Sequence, residues 1–138
     1  MTIKTIDNLI ACNIDIFMKN ASINHYRNSF IDIIDNDIRI LMDPWVNTAN
    51  EGAWAPSKNG KKFILKSQAQ KNIDYIYISH LHTDHFDKKF LIDLYNNQKN
   101  EIKIIIKKFD RNPLCNQLLK IFKKSQIIEI DELKKFKL

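Results

Sequence analysis

The sequence predicts an α/β domain, a mixed β-sheet carrying helices, spread over 138 residues. Three observations carry this expectation. The first half is rich in Ile and Phe runs with the two-residue alternation of strands. From Ile73 onward apolar strands alternate with helical patterns. At 44% hydrophobic and 28% charged residues, the chain has the make-up of one folded domain, residues 1–138.

The elements follow in order. The run SINHYRNSFIDII (residues 22–34) and the run DIRILMD (37–43) read as a β-hairpin about the turn Asp35-Asn36-Asp37. In the second run Ile38, Ile40 and Met42 alternate with Arg39 and Leu41, so its two faces are unequal. Asp43-Pro44 ends it, because proline donates no ladder hydrogen bond. VNTANEGAWAPSKNGKK (46–62) holds both glycines of the chain, Gly52 and Gly60, together with Pro56 and Trp54, and reads as a long loop. Trp45 and Trp54 make it a candidate substrate-facing loop. IDYIYIS (73–79) is a strand, and FDKKFLIDLYNNQ (86–98) is a helix with Phe86, Phe90, Leu91 and Leu94 on one face. EIKIIIKK (101–108) is a buried β-branched strand. Asn112 and Pro113 are N-cap and first residue of a helix whose apolar face runs Leu114, Cys115, Leu118, Leu119, Phe122. SQIIEID (125–131) closes with a short strand.

Charge and composition exclude several classes. The net charge of +6 comes mostly from scattered Lys, with Arg only at 27, 39 and 111. Phosphate and base readout favours concentrated Arg forks, so no nucleic-acid partner is expected. The start, MTIKTIDNLIACNIDIF, lacks an apolar stretch of signal-peptide length, and no run approaches the roughly 18 apolar residues of a membrane span. The expectation is a cytoplasmic protein with no membrane partner. Cys12 and Cys115 match no paired-cysteine pattern and read as small buried hydrophobes.

The densest chemistry lies in SHLHTDHFD (79–87), where three of the four histidines fall within six residues. Side chains two apart on a strand share a face, so His80 and His82 can bind one metal ion together at the strand's carboxyl end. Asp84 and His85 follow in the turn and offer an oxygen and a nitrogen to a second ion. Such donors suit zinc, and also iron or manganese. Four polar groups this close would be costly to bury without a shared ligand. His25, alone in NHYRN, reads as exposed or hydrogen-bonded.

HLHTDH (80–85), straight after an apolar strand and before a helix, resembles the HxHxDH signature of the metallo-β-lactamase superfamily. ILMDPW (40–45) is similar to the strand and DPW segment of the branch that includes L-ascorbate-6-phosphate lactonase-like proteins and CMP-sialic acid hydroxylases. EGAWAP (51–56) resembles the Trp-containing loop of the latter. The resemblance implies that His80 and His82 hold a first metal, and that Asp84 and His85 hold a second. It implies zinc, two ions in the complete site, with Asp43 orienting a ligand from beneath. It also implies hydrolysis of an ester, lactone or phosphoester by a metal-bound hydroxide. Asp84 would serve as the catalytic proton-positioning carboxylate. The substrate would be a small molecule, a sugar phosphate or sugar nucleotide.

The family fold is an αββα sandwich of two αβ halves, and the second half brings further metal-binding histidines. The order of elements here matches the N-terminal half, and each metal finds two donors. The expectation is therefore a partial domain completed by a second polypeptide segment or by self-association. A truncated, non-catalytic metal-binding or interaction module is the alternative, and a di-iron oxidoreductase on the same fold a further one. Half a sandwich should also leave apolar sheet surface uncovered, expected here along Ile102, Ile104 and Ile106.

Overall fold

The computed structural model describes residues 21–55, 57–69, 72–98 and 100–131. The N-terminal segment with Cys12, and Pro56 in the long loop, lie outside the described residues. Six strands form one sheet in sequential order: β1 (Ser22–Arg27), β2 (Phe30–Asp35), β3 (Ile38–Met42), β4 (Tyr75–Ile78), β5 (Lys103–Lys107) and β6 (Ile127–Ile130). β1, β2 and β3 pair antiparallel, while β3 through β6 pair parallel. The crossovers carry helices α1 (Lys58–Ala69), α2 (Lys88–Asn97) and α3 (Pro113–Leu118). Parallel crossovers are right-handed as a rule, and with all three advancing in one direction the helices fall on the same face.

Two expected boundaries change. The first apolar run is two strands rather than one, because the chain reverses at Asn28-Ser29, where Asn28 has φ 34°. Asn tolerates the left-handed region that a tight turn requires. The expected turn at Asn36-Asp37 joins β2 to β3, with Asn36 at φ 52°. The stretch expected as a loop from 46 to 62 is shorter: it contains a 3-10 turn (Asn50–Gly52), and α1 begins at Lys58 and encloses Gly60. Among the described side chains of α1, Ile64 is buried in the core at 3% exposure, which a pattern with four lysines conceals.

The two sheet faces are best compared along single rows of the ladder. Leu41, Ile76, Ile104 and Ile127 stand in register across four strands, and all are buried beneath the helices. Leu91, Leu94, Leu118 and Phe122 cover this face from above. One residue along, Ile31, Met42, Tyr77, Ile105 and Ile128 form the matching row on the opposite face. Apart from Ile105, these are only half-buried, and no described helix lies over them. This corrects the parity of the sequence reading: Ile102, Ile104 and Ile106 are at 1%, 0% and 0% exposure, and Ile105 belongs to the uncovered face. Three consecutive isoleucines carry no alternation, so β5 alone cannot say which side faces the helices.

Helix starts match the sequence. Asn112 Oδ1 accepts from Cys115 N at 3.2 Å, and Pro113 opens α3. Cys115 packs in the core, as expected, while Leu119 turns outward because α3 ends at Leu118. Inside the sheet, the Arg39 guanidinium meets the Asp32 carboxylate in a bidentate pair at 2.9 and 2.8 Å, with Tyr26 Oη donating to Asp32 as well. Arg39 thus shares the inward face of β3 with Leu41.

Candidate metal centre

The carboxyl ends of β3 and β4 lie side by side, the usual place for ligands in parallel sheets. Asp43 follows β3 and Ser79 follows β4. Asp43 N still donates to Tyr77 O at 2.9 Å, and then its backbone turns into the left-handed region at φ 44°. That conformation is unusual in front of a proline and costs energy that the surrounding bonds must hold. They do: Asp43 Oδ1 accepts from Ser79 N at 2.7 Å, and Oδ2 accepts from Ser79 Oγ at 2.8 Å and His85 Nδ1 at 2.8 Å.

This network decides the tautomers. Ser79 Oγ has one proton, which goes to Asp43, so the hydroxyl accepts from His80 Nδ1 at 2.8 Å. The Nε2 of His80 is then a lone pair, and it faces His82 Nδ1 at 2.9 Å. By the same logic His85 donates through Nδ1, and its Nε2 lone pair faces Asp84 Oδ2 at 3.5 Å. Each contact, nitrogen to nitrogen in the first pair and nitrogen to oxygen in the second, is bridged by a proton or by a cation in its place. Two donors sharing one tetrahedral ion at about 2.0–2.1 Å stand about 3.3 Å apart, a span that the two separations of 2.9 and 3.5 Å bracket. Loss of hydration, with the nearby imidazoles of His85 and His82, pulls His80 below its ordinary pKa against Asp43 and Asp84, which favours the neutral ligand form.

All four expected ligands therefore come together, as two pairs on one loop, with the His80 and His85 rings 4.1 Å apart. Among the described residues, no group of three or more His, Cys, Asp or Glu is arranged to hold a metal ion. His25 is exposed and hydrogen-bonds through Nε2 to Asn28 O at 2.6 Å.

The loop is clamped by residues the sequence reading left without a role. Asp87 Oδ1 accepts from Phe90 N as the N-cap of α2, and Oδ2 accepts from Val46 N at 3.0 Å and Asn47 N at 2.8 Å. One carboxylate thus joins the start of α2 to the segment after β3. Ser29 Oγ donates to Asp84 O at 2.9 Å, and Thr83 Oγ1 accepts from Asn50 N at 2.8 Å. The signal for Asp87 was in the sequence: an Asp directly before a helical pattern is an N-cap candidate.

An open cavity of about 410 Å3 adjoins the centre, lined by Asn50, Glu51, Leu81, His82 and Thr83. Neither expected tryptophan lines it. Trp45 is in the core at 2% exposure, and Trp54 is half-exposed and bridges back to Ala49.

Across 85% of its length this chain superposes on CmlA, a diiron β-hydroxylase from Streptomyces venezuelae, with a TM-score of 0.62 at 15% identity. A variant of that β-hydroxylase gives a TM-score of 0.61 at 16% identity over 83% of the chain. The fold is the N-terminal half of a metallo-β-lactamase sandwich. In both comparisons it corresponds to 22% of the larger chain. By sequence, 52 residues are 46% identical to a putative Rieske 2Fe-2S iron-sulfur protein of Mycolicibacterium smegmatis, covering 38% of this chain and 10% of that one. A putative Rieske 2Fe-2S iron-sulfur protein of Mycobacterium tuberculosis is 35% identical over 82 residues, 59% of this chain and 15% of its own. The chain thus spans a small part of the curated relatives it matches. No family model matches it.

Proposed function

We propose that this chain supplies one set of ligands to a dinuclear iron centre in an oxidoreductase of metallo-β-lactamase fold. The observation that carries the reading is the pair of facing donor sets, His80 Nε2 with His82 Nδ1 and His85 Nε2 with Asp84 Oδ2, whose separations bracket the span of a shared ion. Bound iron would supply redox chemistry with dioxygen. The protein's part is to hold neutral imidazoles with their lone pairs inward, which Asp43 and Ser79 do. With Oδ2 of Asp84 facing His85, the proton-positioning role expected of Asp84 would fall to its other carboxylate oxygen.

Iron is favoured over zinc by the diiron β-hydroxylase that shares the fold and by the iron-sulfur names of the sequence relatives. A Rieske cluster itself takes two Cys and two His. Here Cys12 and Cys115 match no paired-cysteine pattern and Cys115 is packed in the core, so no such cluster is assigned to this chain. Each pair supplies two protein donors, and the remaining positions fall to water, substrate or a second polypeptide segment. The DPW and Trp-loop resemblance makes a sugar phosphate or sugar nucleotide the substrate class to test first, and turnover restricted to unrelated thioesters would reject it.

The same four donors would serve a zinc hydrolase, since they are nitrogen and oxygen with no thiolate. Metal analysis after anaerobic Fe(II) or Zn(II) loading separates the readings. Iron retained after desalting, with visible absorption on air exposure, supports the oxidoreductase. Retained zinc with oxygen-independent ester or lactone cleavage supports the hydrolase. His80→Ala with His82→Ala should remove one ion and Asp84→Ala with His85→Ala the other. Unchanged metal content in both double variants would overturn either reading.

A further inference from the structure

Most buried charges in this fold have a partner: Asp32 has Arg39, Asp43 has His85 and Ser79, and Asp87 has the amides of Val46, Asn47 and Phe90. Arg27 does not. Its Nε and Nη1 are shut off from solvent with no hydrogen-bond partner, and the same holds for Trp45 Nε1. The two side chains touch, with the guanidinium carbon 4.6 Å from the centre of the Trp45 ring. Leaving donors buried and unpaired costs about 1–3 kcal/mol each, more for a charged group. A cation–π contact returns about 0.5–2 kcal/mol, which does not cover three such donors.

Chemistry fixes what is missing. A guanidinium and an indole N–H are donors only, so a metal ion cannot satisfy them and an acceptor must. The guanidinium charge demands an anion, and its planar fork matches a carboxylate or a phosphate. Loss of hydration alone already pulls the Arg27 pKa down, with no compensating carboxylate. Arg27 as a whole is half-buried, so the guanidinium lies at the boundary between core and surface.

The position is equally specific. Trp45 follows Asp43 by two residues, a chain reach of at most about 7 Å. Ser29, two residues beyond Arg27, donates to the Asp84 carbonyl. The unpaired donors therefore flank the loop that carries both ligand pairs.

We propose that Arg27 and Trp45 form a subsite for an oxyanion, a carboxylate or phosphate group of a small molecule, on the flank of the histidine loop. It is separate from the metal-binding side chains and does not depend on a bound metal. An anion here would sit over the Trp45 edge, with Arg27 drawn off the ring face to meet it.

The test uses the full chain, stripped of metal, with inorganic phosphate and acetate as separate probes at constant ionic strength. The readout is the Trp45 indole N–H signal in a nitrogen–proton correlation spectrum, assigned by comparison with Trp54→Phe. A saturable shift of that signal by either probe in the millimolar range, abolished in Arg27→Gln, is the expected result. Arg27→Lys keeps the charge but not the fork, so it should weaken the response at least tenfold, and it replaces Arg27→Gln if the latter fails to fold. No saturable shift with either probe would overturn the proposal, as would a shift that persists in Arg27→Gln or is undiminished in Arg27→Lys. Failure would leave the metal centre untouched, because no metal is present in the measurement.

Discussion

Asp43 sets the orientation of two imidazoles at once, directly for His85 and through Ser79 for His80. Asn fits the left-handed backbone at this position as well as Asp does, so Asp43→Asn should leave the fold intact. It replaces one acceptor oxygen by a donor, and the metal affinity of the Asp84–His85 pair should fall about 10–100-fold in a chelator competition. Unaltered affinity would show that Asp43 does not position the ligands. The sequence pointed to Asp43 through its resemblance, but Ser79 went unassigned because a serine at a strand end has too many roles to single out one. Arg39 was legible only as sharing a strand face with Leu41. The structure buries it, because Asp32 on the neighbouring strand neutralises it. Asp32→Ala strands that guanidinium and should destabilise the chain by about 3–5 kcal/mol in urea titration.

Helices and strands were legible to different degrees, and the physical signal explains the difference. Both α2 and α3 carried a clean apolar face, and the start of α3 followed from Asn112 and Pro113, while Asp87 as the cap of α2 was overlooked. α1 carried no such face, since its described contribution to the core is Ile64 among exposed lysines. Asp87 joins two elements, and its oxygens divide the work. Asp87→Asn keeps the cap on Phe90 N but loses the acceptor of the Val46 and Asn47 amides. Amide exchange at Val46 and Asn47 should accelerate in Asp87→Asn while α2 stays protected. Asp87→Ala loses both functions and should cost about 1–3 kcal/mol of stability. Equal effects of the two substitutions would mean that the clamp on the loop contributes nothing.

At the scale of the molecule, helices cover one sheet face and the described elements leave the other half-exposed. The row Ile31, Met42, Tyr77, Ile105 and Ile128 is largely apolar across five strands, and contiguous apolar surface favours association. The isolated chain should therefore self-associate with rising concentration in sedimentation equilibrium, and Ile31→Lys with Ile128→Lys should reduce it. A monomer at all concentrations would show that this face tolerates water. The sequence by itself determined the α/β class, the strand-and-helix alternation after Ile73, and the grouping of His80, His82, Asp84 and His85, because periodicity and close spacing are local properties. Only the tertiary structure decided which side of the Ile104–Ile105–Ile106 run meets the helices, that Arg39 is buried, and that Arg27 and Trp45 carry unpaired donors beside the histidine loop. Those outcomes depend on which residues the sheet brings into register from distant parts of the chain, and no local pattern records that pairing.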